Sequence, residues 1–354
     1  MSAVHSPRPQ APPYIRRAIL DCGQINRQHM YRWYRKVRRW NLEASTRQKI
    51  AAFGITVITL WVLGLIDRLT EKSFDEFSWP SEPLQSREFS RFTEFPECRF
   101  TENDELKLMI IVKSAAKNKQ WRDSIRKTWG KYRLAKKVQV MSVFVIGKVE
   151  DSEVNRRAEK ESAQLKDILA LSTTDSYRNN TLKFFAALDY SSNPSKCVTP
   201  DAVFLVDDDY VVNIPNLIEL AKKRPKNELV YEGFVFDTSP FRLKLHKHYI
   251  SVQDYPFSRY PPYVSAGAVF LTQETVKQFQ KAMRNLKMFP FDDVFTGILA
   301  KALQIPATHN QNFVFWSRHV TGDEWKNGVI AVHGFAGKDL ENEYKSMTDG
   351  LNIK

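Results

Sequence analysis

Short apolar runs at 108–112, 140–146 and 203–206 are bounded by polar residues and predict buried strands, whereas 155–170 and 215–223 predict helices. Pro215 opens the second helix, where its missing N–H is no loss. Further strands are predicted at 231–237, 263–271 and 329–333, with a helix from Gln273 to Leu286. Strand and helix alternate, so the expected fold class is α/β, a mostly parallel central sheet covered by helices. No internal repeat is visible, and no glycine fingerprint follows the first strand, which argues against a dinucleotide-binding dehydrogenase.

The stretch from Ala51 to Ile66 carries no charge and, with its flanks Lys49 and Asp67, supplies about the 17–20 residues that cross a bilayer. Residues 1–50 hold 11 Lys and Arg against 2 acidic residues, and residues 67–105 hold 5 against 11. That asymmetry predicts a cytoplasmic N-terminus and a lumenal body. The apolar core lies too far from Met1 for a cleaved signal peptide, so an uncleaved anchor is expected. The expected layout is a basic tail over 1–48, a single transmembrane helix over 49–67, a stem over 68–104 and a catalytic domain over 105–354. The basic, aromatic run Tyr31 to Trp40 could meet RNA, but beside a membrane span it more simply meets anionic lipid headgroups.

The formal charge of +13 is unevenly spread, and the C-terminal body retains +10 of it, which favours an anionic ligand such as a nucleotide diphosphate. Three cysteines do not make a disulfide framework: Cys22 falls in the tail, while Cys98 and Cys197 share the expected lumen and could pair. Asn179-Asn180-Thr181 is a glycosylation sequon in that setting.

Asp207, Asp208 and Asp209 directly follow the apolar run 203–206. Carboxylates crowded at a strand end repel one another, so a hard cation such as Mg or Mn, or a polar ligand, would stabilise them. A solvated turn is the other reading. Arg122 and Arg126 are four residues apart, share one face if helical, and could reach a diphosphate, or else form a solvated face. Asp292 and Asp293 begin a predicted helix, where a carboxylate can cap exposed amides. His333 ends the apolar run from Val329, where a neutral imidazole could join one carboxylate, diphosphate oxygens and water around a metal; a structural histidine is the alternative.

Five stations occur in order: Trp121 to Gly130, Asp175 to Lys183, Phe204 to Asn213, Tyr260 to Gly267 and Phe289 to Gly297. In residues and spacing they resemble glycosyltransferase family 31, the β1,3-galactosyltransferases and β1,3-N-acetylglucosaminyltransferases. The resemblance implies a GT-A type domain, Mn²⁺, a UDP-sugar donor, inversion at the anomeric carbon, and a single-pass type II protein of the Golgi membrane. It implies Asp209 as metal ligand with a C-terminal histidine such as His333, Asp207 at the nucleotide sugar, Asp208 either at its ribose or bracing the loop, and Asp293 as catalytic base. Tyr263 and Gly267 fall on the acceptor side, as does Asp292, where the family has glutamate.

The expected function is therefore transfer of a hexose, galactose first, from a UDP-sugar to a glycan on a glycoprotein or glycolipid in β1,3 linkage. N-acetylglucosamine or N-acetylgalactosamine transfer is the alternative, and a catalytically inactive glycan-binding or chaperone-like membrane protein is a third reading. A lipid bilayer is an expected partner and nucleic acid is not; homo-oligomerisation is left open.

Overall fold

The computed structural model describes residues 29–40, 44–82, 91–101, 105–131, 137–176 and 179–351. Much of the predicted tail, with Cys22, lies outside the described residues, as do Tyr177 and Arg178 of the second station. The chain forms two units: Met1–Glu71 with Phe241–Tyr255, and Lys72–Pro240 with Pro256–Lys354.

In the first unit, Ser45 and Gln48 close a capping box at the start of a helix over Thr46–Val62, each side chain meeting the other's backbone amide. Ile50, Phe53, Ile55, Ile58 and Trp61 all stand exposed along it. The helix breaks at Gly64, φ +74°, before a short helix Leu65–Leu69. Among the described residues no helix is long and apolar enough to cross a membrane, because this break divides the uncharged run.

The elements of the second unit are numbered in chain order. β1 (Leu106–Lys113), β2 (Val138–Lys148), β3 (Ile168–Thr174) and β4 (Ala202–Asp207) form a parallel array, and every residue of β1 is buried. β7 (Tyr263–Thr272) pairs antiparallel with β4 and with β6 (Tyr231–Phe236), and β8 (Ala307–His309) runs parallel to β6. The order is β3-β2-β1-β4-β7-β6-β8. The sheet is thus mixed, a parallel half with a reversed β7 beyond it, in an α/β arrangement. β7 reverses because the segment between it and β6 returns the chain as a hairpin does, without a helical crossover.

α1 (Lys119–Lys127), α2 (Ser152–Leu165), α3 (Asn180–Ser192) and α4 (Ile214–Lys223) connect the strands, with α5 (Gln273–Met283) and α6 (Asp292–Ala302) after β7. The segment predicted as one helix over 155–170 is two elements: α2 stops at Lys166, φ +51°, and β3 follows. Its apolar residues 168–171 are all buried in the sheet, which overrides helical continuation. α3 carries no amphipathic period because it is buried on most of its faces. A second sheet, in the order β5-β10-β9, joins β5 (Tyr210–Val212), β10 (Ala331–His333) and β9 (Phe313–Val314); α7 (Gly322–Lys326) and α8 (Gly337–Leu351) complete the unit.

Residues of the expected stem run along this body. The Trp79 indole donates to the Lys287 carbonyl at 2.6 Å, Arg91 bridges Leu171, and Phe100 is buried. Cys98 and Cys197 form a disulfide that closes 99 residues of sequence.

Candidate active site

Parallel register sets Lys113, the last residue of β1, beside Asp207, the last of β4. The Lys113 ammonium lies 3.0 Å from Asp207 Oδ1 and 2.7 Å from Asp292 Oδ2 at the start of α6. Burial alone would push this lysine down, but the two carboxylates hold it above its usual range. Burial pushes Asp207 up to about 6, partly opposed by Lys113. One cation therefore ties the triplet to the acidic pair. Asp292 does not cap α6: its carboxylate is committed to Lys113.

β4 ends at Asp207, and Asp208 and Asp209 form a turn before β5, so the three carboxylates diverge. Buried Asp208 accepts from Ser114 Oγ at 2.6 Å and Asn118 Nδ2 at 3.0 Å, bracing the loop after β1. Burial raises it despite these donors.

Arg122 and Arg126 share one helix, as expected, and both are engaged by carboxylates. Arg122 is fully buried; its guanidinium forks onto Glu161 at 2.9 and 2.6 Å and spends its remaining donors on Ser114 Oγ and the Ala115 and Ala116 carbonyls. Arg126 forks onto Asp167 at 2.8 and 2.9 Å and also reaches Asp123 and Glu161. Both arginines bind α1 to α2, and Arg126 also binds it to the start of β3. The carboxylates Glu161 and Asp167 fall within the stretch predicted as continuous helix, so their role as partners was hidden.

The small sheet brings the predicted metal ligands together. His333 on β10 is in register with Tyr210 on β5, and the backbone carbonyl of Asp209 accepts from Gly334 and Phe335. His333 Nε2 lies 3.1 Å from Asp209 Oδ2, and this hydrogen bond raises the imidazole despite its desolvation. The other oxygen, Asp209 Oδ1, is buried without a hydrogen-bond partner. A lone buried carboxylate oxygen beside an imidazole fits a hard or borderline divalent ion. Among the described residues no group of three His, Cys, Asp or Glu side chains gathers as a metal cluster.

Asp293 follows Asp292 in the first turn of α6. Its Oδ1 accepts the Val294 N–H at 2.8 Å, and burial, reinforced by the neighbouring Asp292 charge, pushes its carboxyl up to about 7. Tyr263 packs along the next turn, where Gly297 leaves no room for a Cβ. Its hydroxyl meets Thr238 Oγ at 3.0 Å; burial, and then Asp293, push it up to about 12. Gly267 on β7 makes room for Tyr210, since a Cβ there would fall 2.3 Å from the Tyr210 hydroxyl. Asp293 thus stands half-buried at a proton-accepting pKa, next to a cationic bridge to the triplet.

A sequence family described as Galactosyltransferase matches residues 120–311. The chain belongs to it. It is 58% identical over 318 residues to beta-1,3-galactosyltransferase bre-5 of Caenorhabditis elegans, covering 90% of this chain and 99% of that one. It is 38% identical over 232 residues to beta-1,3-galactosyltransferase brn of Drosophila melanogaster, covering 65% of this chain and 70% of that one. With beta-1,3-galactosyltransferase 1 of Homo sapiens it shares 27% over 249 residues, 70% of this chain and 76% of that one.

Two lysines of this galactosyltransferase were missed in the sequence. Lys113 carried a readable signal, a cation closing the apolar run that precedes it. Lys183 is buried in α3, donating to the Ser114 carbonyl at 2.9 Å and Asp175 Oδ1 at 2.6 Å, so the two ends of the second station are tied together beside the loop after β1. Asn179 of the sequon donates to the Thr174 carbonyl, while the Thr181 hydroxyl is buried against the Phe289 carbonyl.

Proposed function

We propose that this galactosyltransferase-family protein moves galactose from UDP-galactose to a glycan hydroxyl in β1,3 linkage, with inversion, and that Asp293 is its general base. The observation that carries the reading is the Lys113 bridge, which sets the acidic pair within one side chain of the triplet. Asp293 takes the proton of the acceptor hydroxyl as that oxygen bonds to the anomeric carbon, and the bond from that carbon to UDP breaks. Its raised pKa, about 7, matches a base that must accept and later release a proton near neutrality. Asp292, held by Lys113, together with Tyr263 orients the acceptor, while Asp207 and Asp208 shape the nucleotide-sugar side. Asp209 and His333 would hold Mn²⁺, which when bound neutralises the diphosphate of the leaving UDP.

We place the protein in the Golgi membrane as a single-pass type II chain, anchored through the apolar helix region and with its body lumenal. The charge asymmetry around Ala51 to Ile66 supports this orientation. The deciding experiment presents purified protein with Mn²⁺ and a panel of UDP-sugars and acceptor glycans, reading UDP release, product mass and linkage. A β1,3-galactosyl product is expected. Preference for UDP-N-acetylglucosamine or UDP-N-acetylgalactosamine would replace the donor assignment, and glycan binding without any turnover would reject the enzyme.

A further inference from the structure

The segment Phe241–Tyr255 belongs with the N-terminal helices, although it is far from them in sequence. Its side chains are sorted in the reverse of an ordinary loop in water. Arg242 turns inward and is buried: it pairs with Glu71 at 2.7 Å and donates to the carbonyls of Ile250 and Tyr255. Lys244 also turns inward, to Asp67 at 3.0 Å and the Tyr249 hydroxyl at 2.9 Å. The alternate residues Phe241, Leu243 and Leu245 point outward and are 48%, 38% and 84% exposed. Three apolar side chains left exposed while the neighbouring cations turn inward mark a contact surface rather than a solvated turn.

Its position identifies the occupant. The Lys244 amide donates to the carbonyl of Val62, the last residue of the apolar helix, at 3.0 Å. Gly64 breaks the helix where a Cβ would fall 2.2 Å from the Arg242 carbonyl oxygen, so the left-handed turn is what admits the segment. The Lys244 ammonium lies 4.5 Å from the centre of the half-exposed Trp61 ring and 4.9 Å from that of Tyr249. Tryptophan, tyrosine and lysine gathered at one end of an apolar helix have the composition of a membrane–water boundary.

We propose that Phe241–Tyr255 is a membrane foot that seats Phe241, Leu243 and Leu245 in the headgroup–acyl boundary of the leaflet at the C-terminal end of the apolar helix. The ligand is the lipid bilayer surface. The inference rests on the proposed anchoring, and it adds a second point of membrane contact drawn from the middle of the chain. Arg242–Glu71 and Lys244–Asp67 hold the foot to the helix end, so its apolar face stays at the depth of that end. The face has the amphipathic character of interfacial segments that sink about 5–10 Å into the boundary.

The test uses the full chain in phosphatidylcholine nanodiscs. With Cys22 replaced by serine, single cysteines introduced by Leu245→Cys, Ile58→Cys and Lys247→Cys are labelled in turn with an environment-sensitive fluorophore. The label at 245 should emit to the blue of the label at 247, and a doxyl group near the lipid headgroup should quench it at least twofold more. A water-like, unquenched label at 245 alongside a blue-emitting label at 58 would overturn the foot while leaving the anchor intact. Water-like emission from the label at 58 would overturn both.

Discussion

Asp293 is the residue on which the chemistry turns. Replacing it with asparagine keeps the shape of the side chain, so Asp293→Asn should lower turnover by about 10²- to 10⁴-fold while UDP-galactose affinity, read by calorimetry, stays near its native value. Equal loss of binding and turnover would make Asp293 a donor-site residue instead. Since the base works deprotonated and its carboxyl is pushed up to about 7, activity should climb with pH through that value and then level. Asp292 contributes to the upward push, so Asp292→Asn should move the rising limb to lower pH, as measured in kcat/KM profiles. At the other end of the site, Asp209→Ala removes the carboxylate that carries the unpartnered oxygen. It should abolish Mn²⁺-dependent UDP binding but leave the circular dichroism spectrum unchanged; metal-stimulated binding that survives would move the metal elsewhere.

At the scale of elements, the site is held by the loop after β1. Ser114 meets Asp208, Arg122 and Lys183, so β1, α1, α3 and the β4 turn converge on one residue. Arg122→Lys keeps the charge but cannot reproduce the fork onto Glu161, and it takes donors away from Ser114 Oγ and the Ala116 carbonyl. The variant should lose about 1–3 kcal/mol of unfolding free energy in a denaturant titration, since buried acceptors lose their donors. Unchanged stability with weakened UDP binding would instead restore a diphosphate-contacting role for this arginine.

At the scale of the whole molecule, the charge asymmetry sets the expected orientation. In sealed vesicles a tag on the C-terminus should resist added protease and a tag on the N-terminus should be removed. Digestion of the C-terminal tag would reverse the orientation. The Cys98–Cys197 disulfide agrees with an oxidising compartment for the body and ties a residue of the expected stem to the segment before β4.

The sequence by itself determined the strands β1, β2, β4 and β7, because each is a short apolar run whose period and length leave little choice. It also located the acidic triplet at a strand end and the acidic pair at a helix start, since both are set by immediate neighbours in the chain. The disulfide stood as one option among the cysteines, and contact between Cys98 and Cys197 decided it. Tertiary structure alone decided that β7 reverses, that α2 yields to β3 and that α3 is a helix, because burial in the sheet and on most helical faces erases the local period. It also decided what each charge does. Lys113 becomes a bridge only because parallel register sets it beside Asp207, and the helix that carries Asp292 ends its approach at the same place. Arg122 and Arg126 read as ligands for a phosphate until Glu161 and Asp167, distant in sequence, claim them. A charged residue's function depends on the partner that burial selects, and that partner is fixed by packing across elements, which no local pattern records.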